Sequence, residues 1–240
     1  MRIALISDIH GNLVAFEAVL ADIDRQSVDQ IIFLGDAVTL GPQPKEVITL
    51  LRSLECPCIM GNHDDFVLHA EQFYRDKHAV AMKEKMAWCV AQLCAADLAY
   101  LQGFQAWHQV ELDRAQRLLC FHGSPRSFND FILATTPPDE LDAMLAGHAA
   151  TVMVGGHAHV QMLRRHRETL VVNAGSVGEP FEQMPFVGKP KTLPWAEYAI
   201  VHEDNQTIGV ELRRVAVDLD AIKDRAAKSD MPHLAEWLQK

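Results

Sequence analysis

No stretch of this chain approaches the roughly 20 consecutive apolar residues that a membrane-spanning helix needs. No secretory leader is expected, because Met1-Arg2 runs straight into a short apolar segment that ends at the polar pair Ser7-Asp8. Cysteine is scarce and odd in number. Cys56, Cys58, Cys89, Cys94 and Cys120 lie in mostly apolar surroundings, which suits a reducing, cytoplasmic setting better than a disulfide framework. Cys56-Pro57-Cys58 has a single intervening residue, so it is not a C-x-x-C redox pair and reads as two structural thiols where a strand begins. Basic residues are outnumbered, 22 Lys and Arg against 32 Asp and Glu, for a formal net charge of −10. That balance opposes binding to a nucleic-acid duplex or an anionic membrane, both of which rely on Lys and Arg. Gly123-Ser124 is not the centre of a G-x-S-x-G elbow, which argues against a serine hydrolase. There is no internal repeat, low-complexity tract or interdomain linker. The 240 residues, 49% of them apolar, suffice for a single domain with its own core, and nothing in them fixes the oligomeric state.

Hydrophobic patterning divides the chain into three parts. Residues 1–60 read as β-α-β-α-β, with strands at Ile3–Ile6, Ile31–Leu34 and Cys58–Met60. Asn12 can cap a first helix whose apolar face is Leu13, Phe16, Leu20 and Ile23. Pro44 can open a second, faced by Val47, Ile48, Leu51 and Leu54. Strands alternating with helices imply parallel pairing, with helices on the sheet faces. Residues 64–105 hold no proline and only one glycine, Gly103, and read as a helical insertion. One long helix is expected over roughly 78–95, with a buried stripe of Met82, Met86, Val90, Leu93 and Cys94. Beyond that, strands are expected at Trp107–Leu112, Arg117–Phe121, Thr151–Val154, Gln161–His166, Leu170–Val172, Tyr198–His202 and Thr207–Val217. A short helix is expected at Asp139–Leu145, a surface loop at Glu179–Leu193 and a closing helix over 218–239. The later strands follow one another without helices, so this half is more antiparallel.

Five polar motifs each follow an apolar run: Asp8-Ile9-His10, Gly35-Asp36, Gly61-Asn62-His63-Asp64, His122-Gly123 and Gly156-His157-Ala158-His159. They therefore fall at strand ends, where an open α/β sheet builds its ligand site. All offer hard or borderline oxygen and nitrogen donors, and none contains cysteine. Asp8 and His10, like His157 and His159, are spaced i, i+2 and can point the same way. A carboxylate such as Asp36 has two oxygens and can bridge two cations. Asn62 offers a neutral carbonyl oxygen. His63 is either a further ligand or a general acid, and Asp64 could hold one of its ring nitrogens and fix its tautomer. Each motif alone has a bland reading as a turn, a cap or a satisfied core histidine. Five in order make that reading implausible. The other seven histidines (His69, His78, His108, His148, His166, His202 and His233) follow no such rule and read as structural or solvent-facing.

The ordered pattern D-x-H, G-D, G-N-H-D, H, G-H-x-H resembles that of the calcineurin-like metallophosphoesterases and spans residues 7 to about 178. Ser7-Asp8-Ile9-His10-Gly11-Asn12, Gly41-Pro42-x-Pro44, His122-Gly123-Ser124-Pro125-Arg126 and Asn173-Ala174-Gly175-Ser176-Val177-Gly178 are closest to its small bacterial and archaeal phosphodiesterases and diadenosine tetraphosphatase-like proteins. The resemblance implies an α/β fold, a four-layer α/β-β/α sandwich of two mixed sheets with a helical cap insertion. It implies two divalent transition-metal ions, Mn or Fe first, with Zn and Ni also compatible. Asp8, His10, Asp36 and His159 would hold the first. Asp36 would bridge to the second, completed by Asn62, His122 and His157. His63 would be the proton donor, oriented by Asp64 or Asp36. Asn12 and Arg126 are expected near the substrate, a small phosphorylated molecule.

The chain also departs from its relatives. Many of them read N-P-G-S where Asn173-Ala174-Gly175-Ser176 stands, and many carry an arginine where Glu179-Pro180-Phe181 follows. The phosphoprotein phosphatases read G-D-x-x-D-R-G, but here Asp36 is followed by Ala37-Val38-Thr39-Leu40-Gly41, which argues against a protein phosphatase. A dedicated dinucleoside polyphosphate hydrolase would need base-stacking rings, for which Trp107, Phe128, Phe131 and Phe181 are candidates. A non-catalytic scaffold would have no need of His63 and seven presumed ligands.

Overall fold

The computed structural model describes residues 1–76, 80–112, 116–182, 193–204 and 207–233. The first half alternates strand and helix: β1 (Arg2–Ile6), α1 (Leu13–Ile23), β2 (Gln30–Phe33) and α2 (Pro44–Ser53). Four short helices follow: α3 (Asn62–Leu68), α4 (Ala70–Arg75), α5 (Val80–Gln92) and α6 (Ala95–Gln102). The second half is β3 (Trp107–Glu111), β4 (Arg117–Phe121), α7 (Pro138–Leu145), β5 (Val152–Gly155), β6 (Met162–His166), β7 (Thr169–Asn173), β8 (Trp195–Asp204), β9 (Thr207–Ala216) and α8 (Leu219–Ala227).

The strands form two mixed sheets, ordered β2-β1-β8-β9 and β3-β4-β5-β7-β6. β1 pairs parallel with β2 and antiparallel with β8. β4, β5 and β7 run parallel to one another, and β3 and β6 close the edges antiparallel. The period-two alternation of each strand builds the layers. Ile3 and Leu5 of β1 face Leu118 and Cys120 of β4 and Val152 and Val154 of β5 between the sheets. Ala4 and Ile6 turn the other way, onto Phe16, Val19, Val47, Ile48 and Leu51 of α1 and α2. Leu119, Phe121 and Met153 face outward onto Leu141, Met144 and Leu145 of α7. The result is a four-layer α/β-β/α sandwich. Each large apolar side chain so buried stabilises the fold by about 1.5–3 kcal/mol.

Three expectations change. Cys58–Met60 is not a sheet strand: Cys58 bridges Phe33 and Ile59 bridges Gln105, one residue each, because the chain turns into α3 at once. The long helix expected over 78–95 is α5 followed by a break at Leu93-Cys94 and then α6, where Asp97 accepts from the Cys94 backbone N–H as a cap. That break turns Cys94 outward; of the expected stripe Met86 is fully buried and Met82, Val90 and Leu93 are half-buried, while Cys89, outside it, is fully buried. The closing helix ends at Ala227. Residues 78–79, 183–192 and 234–239 of the expected elements lie outside the described residues. No helix among the described residues is long and apolar enough to cross a membrane.

Candidate metal centre

The five motifs converge at one end of the sandwich, past the C-terminal ends of β1, β2, β4 and β5 and at the first turn of α3. Backbone hydrogen bonds tie their loops together. Asp8 N–H donates to Gly35 O (2.9 Å), Gly156 N–H to His122 O (2.9 Å) and Gly178 N–H to Asp8 O (2.9 Å). Ser176 Oγ donates to Asp8 O at 2.8 Å. The Asn173–Gly178 segment thus anchors the loop that carries Asp8. Asp8, His10, Asp36, His157 and His159 all have φ between 48° and 64°. Non-glycine residues rarely adopt the left-handed region, Asp and His more readily than most.

Two triads of ligand atoms form, Asp8 with His10 and His159, and Asp36 with His122 and His157. His10 Nε2 and His159 Nε2 are 3.0 Å apart, and His159 Nε2 lies 3.2 Å from Asp8 Oδ1. Asp36 Oδ2 is 3.3 Å from His122 Nε2 and 3.6 Å from His10 Nε2. Asn62 Oδ1 lies 3.0 Å from His122 Nε2. The Nδ1 atoms of His10, His122 and His159 face the carbonyls of Val38, Leu34 and Glu179 at 3.3, 2.9 and 2.7 Å. Those contacts turn the Nε2 lone pairs inward, the usual outer support of a metal-binding imidazole. Asp8 Oδ1, Asp36 Oδ2 and His157 Nε2 are buried without any hydrogen-bond partner. Orphaned buried polar atoms are costly. Three of them, all on the expected ligand atoms, fit bound cations.

Burial pushes His10 and His157 down to about 3, leaving both imidazoles neutral and able to coordinate. Burial acts the same way on His122, but the Asp36 carboxylate outweighs it and raises His122 to about 9. Asp36 itself, despite burial, is held well below the carboxylate range by His122 and His63. Metal binding must displace any proton these imidazoles carry.

His63 and Asp64 occupy the first turn of α3, but not as the sequence suggests. Asp64 does not hold the His63 ring. Its carboxylate accepts from the backbone N–H groups of Asp36 (2.7 Å), Ala37 (2.9 Å) and Gly61 (3.2 Å), fixing the loop that carries Asp36. Burial and the Asp36 carboxylate push Asp64 up to about 7. The ring nitrogen Nδ1 of His63 instead meets Thr39 Oγ1 at 2.6 Å. Asp36 Oδ1 accepts from the His63 backbone N–H at 2.8 Å, so it places the residue rather than the ring. Burial lowers the His63 pKa. Thr39 escaped sequence reasoning because a threonine three residues past Asp36 carries no motif. Its one signal is its place in the phosphatase pattern, where an aspartate would stand.

Asn12 caps α1, as its place in the sequence predicts: Oδ1 accepts from Ala15 N–H (3.2 Å), and Nδ2 donates to Gly178 O (3.0 Å). Arg126 Nε donates to Asp130 (2.7 Å) and Nη1 to the Ala143 carbonyl (3.1 Å), which staples the 123–137 loop to α7. Of the candidate rings, Phe131 stacks on His157 with centroids 4.1 Å apart and Phe181 on His159 at 4.6 Å. Trp107 sits edge-on against His148, and Phe128 packs against the core of the α1–α2 layer.

Two mixed sheets with carboxylate–imidazole groups gathered at the strand ends match the fold of the phosphoesterases. The chain belongs to the calcineurin-like phosphoesterase superfamily, whose domain profile matches residues 1–192. It is 28% identical to the uncharacterized protein MJ0912 of Methanocaldococcus jannaschii, over 98% of this chain and 95% of that protein. The fold is similar to that of a metallophosphoesterase from Sphaerobacter thermophilus (TM-score 0.76, 28% identity, 99% and 98% of the two chains). It is also similar to the hypothetical protein PH1004 of Pyrococcus horikoshii (TM-score 0.83, 20% identity, 99% and 97%).

Proposed function

We propose that this protein is a dinuclear metal-dependent phosphoesterase that hydrolyses phosphodiester or phosphomonoester bonds of a small substrate in the cytoplasm. The observation that carries the reading is the trio of orphaned ligand atoms on Asp8, Asp36 and His157, set between neutral or displaceable imidazoles. Asp8, His10, Asp36 and His159 would hold one cation. Asp36, Asn62, His122 and His157 would hold the other. Mn or Fe suits this mixture of oxygen and imidazole donors, with Zn or Ni also accommodated. When bound, the pair supplies Lewis-acid polarisation of the phosphoryl oxygens and lowers the pKa of water.

The chain's own residues do the rest. Asp64, bound to three backbone N–H groups, holds the Asp36 loop in place. His63, partly exposed beside the centre and held through Nδ1 by Thr39 Oγ1, gives the proton that the leaving oxygen needs. No covalent intermediate is required. Phe131, 38% exposed on His157, and Phe181 on His159 flank the centre and favour substrates that carry flat rings, such as dinucleoside polyphosphates. Phe66 of α3 packs edge-on against His63 at 5.5 Å, so the helical segment over 64–105 is placed to help set substrate size. The test is hydrolysis of a panel of monoesters, diesters and dinucleotides with Mn²⁺, Fe²⁺, Ni²⁺, Zn²⁺ and Mg²⁺. Activity on none of them, with metals bound, would leave the scaffold reading.

A further inference from the structure

Thr39 has an unusual backbone for its residue type. It is a β-branched residue at φ 69°, followed by Leu40 at φ 61°, and Gly41 N–H closes back onto Thr39 O at 2.7 Å. Branching at Cβ makes the left-handed region a genuine outlier, and such outliers persist only where surrounding structure holds them. Glycine would fit the backbone without strain. Thr39 is also 1% exposed and binds no expected metal. In this conformation the side chain places Oγ1 on Nδ1 of His63 at 2.6 Å. The ring's other neighbours are non-directional: the edge of His10 at 4.9 Å and that of Phe66 at 5.5 Å.

We propose that Thr39 is the positioning residue of the presumed acid, its hydroxyl taking the Nδ1–H of His63 and so directing Nε2 at the leaving oxygen. The proposal rests on the general-acid reading of His63 given above. In the step, the bond from phosphorus to the leaving oxygen breaks with its electron pair on that oxygen. The Nε2 proton of the imidazolium moves onto it, while the oxygen of a water molecule bonds to phosphorus and that water releases one proton to solvent. The ring is left neutral with its remaining proton on Nδ1, where Thr39 Oγ1 accepts it. An acceptor at Nδ1 therefore selects the tautomer the step must leave behind. A hydroxyl does this without adding a fourth carboxylate to the buried group of Asp8, Asp36 and Asp64.

The test compares Mn²⁺-loaded wild type, Thr39→Val, Thr39→Ser and His63→Ala on two phosphodiesters, one with a p-nitrophenyl and one with an alkyl leaving group. Metal content is measured alongside. Thr39→Val keeps the shape and removes the hydroxyl. It should retain both metals and lose about tenfold more kcat on the alkyl ester than on the p-nitrophenyl ester, a fraction of the usual acid contribution. Thr39→Ser should restore the wild-type ratio. Adding Thr39→Val to His63→Ala should change the ratio no further, as for two residues acting through one step. If Thr39→Val folds poorly, Thr39→Gly adopts the same backbone freely and gives the same readout. Equal losses on both esters in Thr39→Val, with His63→Ala still discriminating between them, would overturn the proposal alone. No discrimination in His63→Ala would remove the general-acid reading and the proposal with it.

Discussion

The unpaired oxygen of Asp36 lies 3.3 Å from Nε2 of His122, and the same oxygen is 3.6 Å from Nε2 of His10. One carboxylate thus reaches both ligand triads. Its other oxygen is held by the His63 backbone N–H, which fixes the direction in which the free oxygen points.

Because Asp36 reaches both triads, Asp36→Asn should remove negative charge from both cations at once. It is expected to bind less metal than Asn62→Ala, which touches one triad. Elemental analysis of the two purified variants checks this. Two metals retained in Asp36→Asn would mean that Asp36 is not shared.

His63 lies outside both triads. His63→Ala should keep wild-type metal content and lower kcat by about 10²–10⁴-fold, the usual contribution of acid–base catalysis. Steady-state kinetics with metal analysis on the same sample decides it. Loss of a metal would make His63 a ligand.

Gly61 gives the centre its tight fit. A methyl group there would collide with the carboxylate and backbone N of Asp36. Gly61→Ala should therefore lose metal and activity, by about tenfold or more in kcat/KM, because a misplacement on the order of 1 Å costs that much or more. A variant with normal metal content and kcat/KM would show that the Asp36 loop can yield.

Much of this was legible in the sequence. Buried runs such as Ile3–Ile6 and Leu118–Phe121 became strands, and the alternating faces of β1 and β4 made the layers. The motif residues Asp8, His10, Asp36, Asn62, His122, His157 and His159 come together in space. Spacing failed where a partner is chosen by three-dimensional approach. Asp64 follows His63 in sequence, but on the first turn of a helix its side chain turns back to cap backbone N–H groups. Thr39, 24 residues away, reaches the ring instead. The expected long helix ends at Gln92, short of residue 95, because the Asp97 side chain takes the Cys94 backbone N–H as the cap of α6, a local contact with no hydrophobic signature.

Away from the centre, Asp22 ties α1 to the first sheet. Its carboxylate accepts from Tyr198 Oη (2.7 Å) and Arg213 Nε (3.0 Å). Burial would raise its pKa, but these bonds win and lower it. A depressed carboxylate stabilises the fold fully above the unfolded-state pKa of about 3.9, and that stabilisation is lost as pH falls through the folded value. Asp22→Asn should cost about 1–3 kcal/mol at neutral pH. The gap between wild type and variant in urea unfolding should narrow below about pH 4. A gap of constant size down to pH 3 would assign the effect to shape rather than charge.

The central claim is that two divalent cations at the Asp8 and Asp36 triads make this chain a phosphoesterase. Chelator-treated protein, titrated with Mn²⁺ while phosphodiester hydrolysis and bound metal are followed together, tests it most directly. Activity should be absent at the start, rise with bound Mn²⁺ and level off at two ions per chain. Full activity in the chelated protein, or saturation of both sites without hydrolysis of any ester, would contradict it.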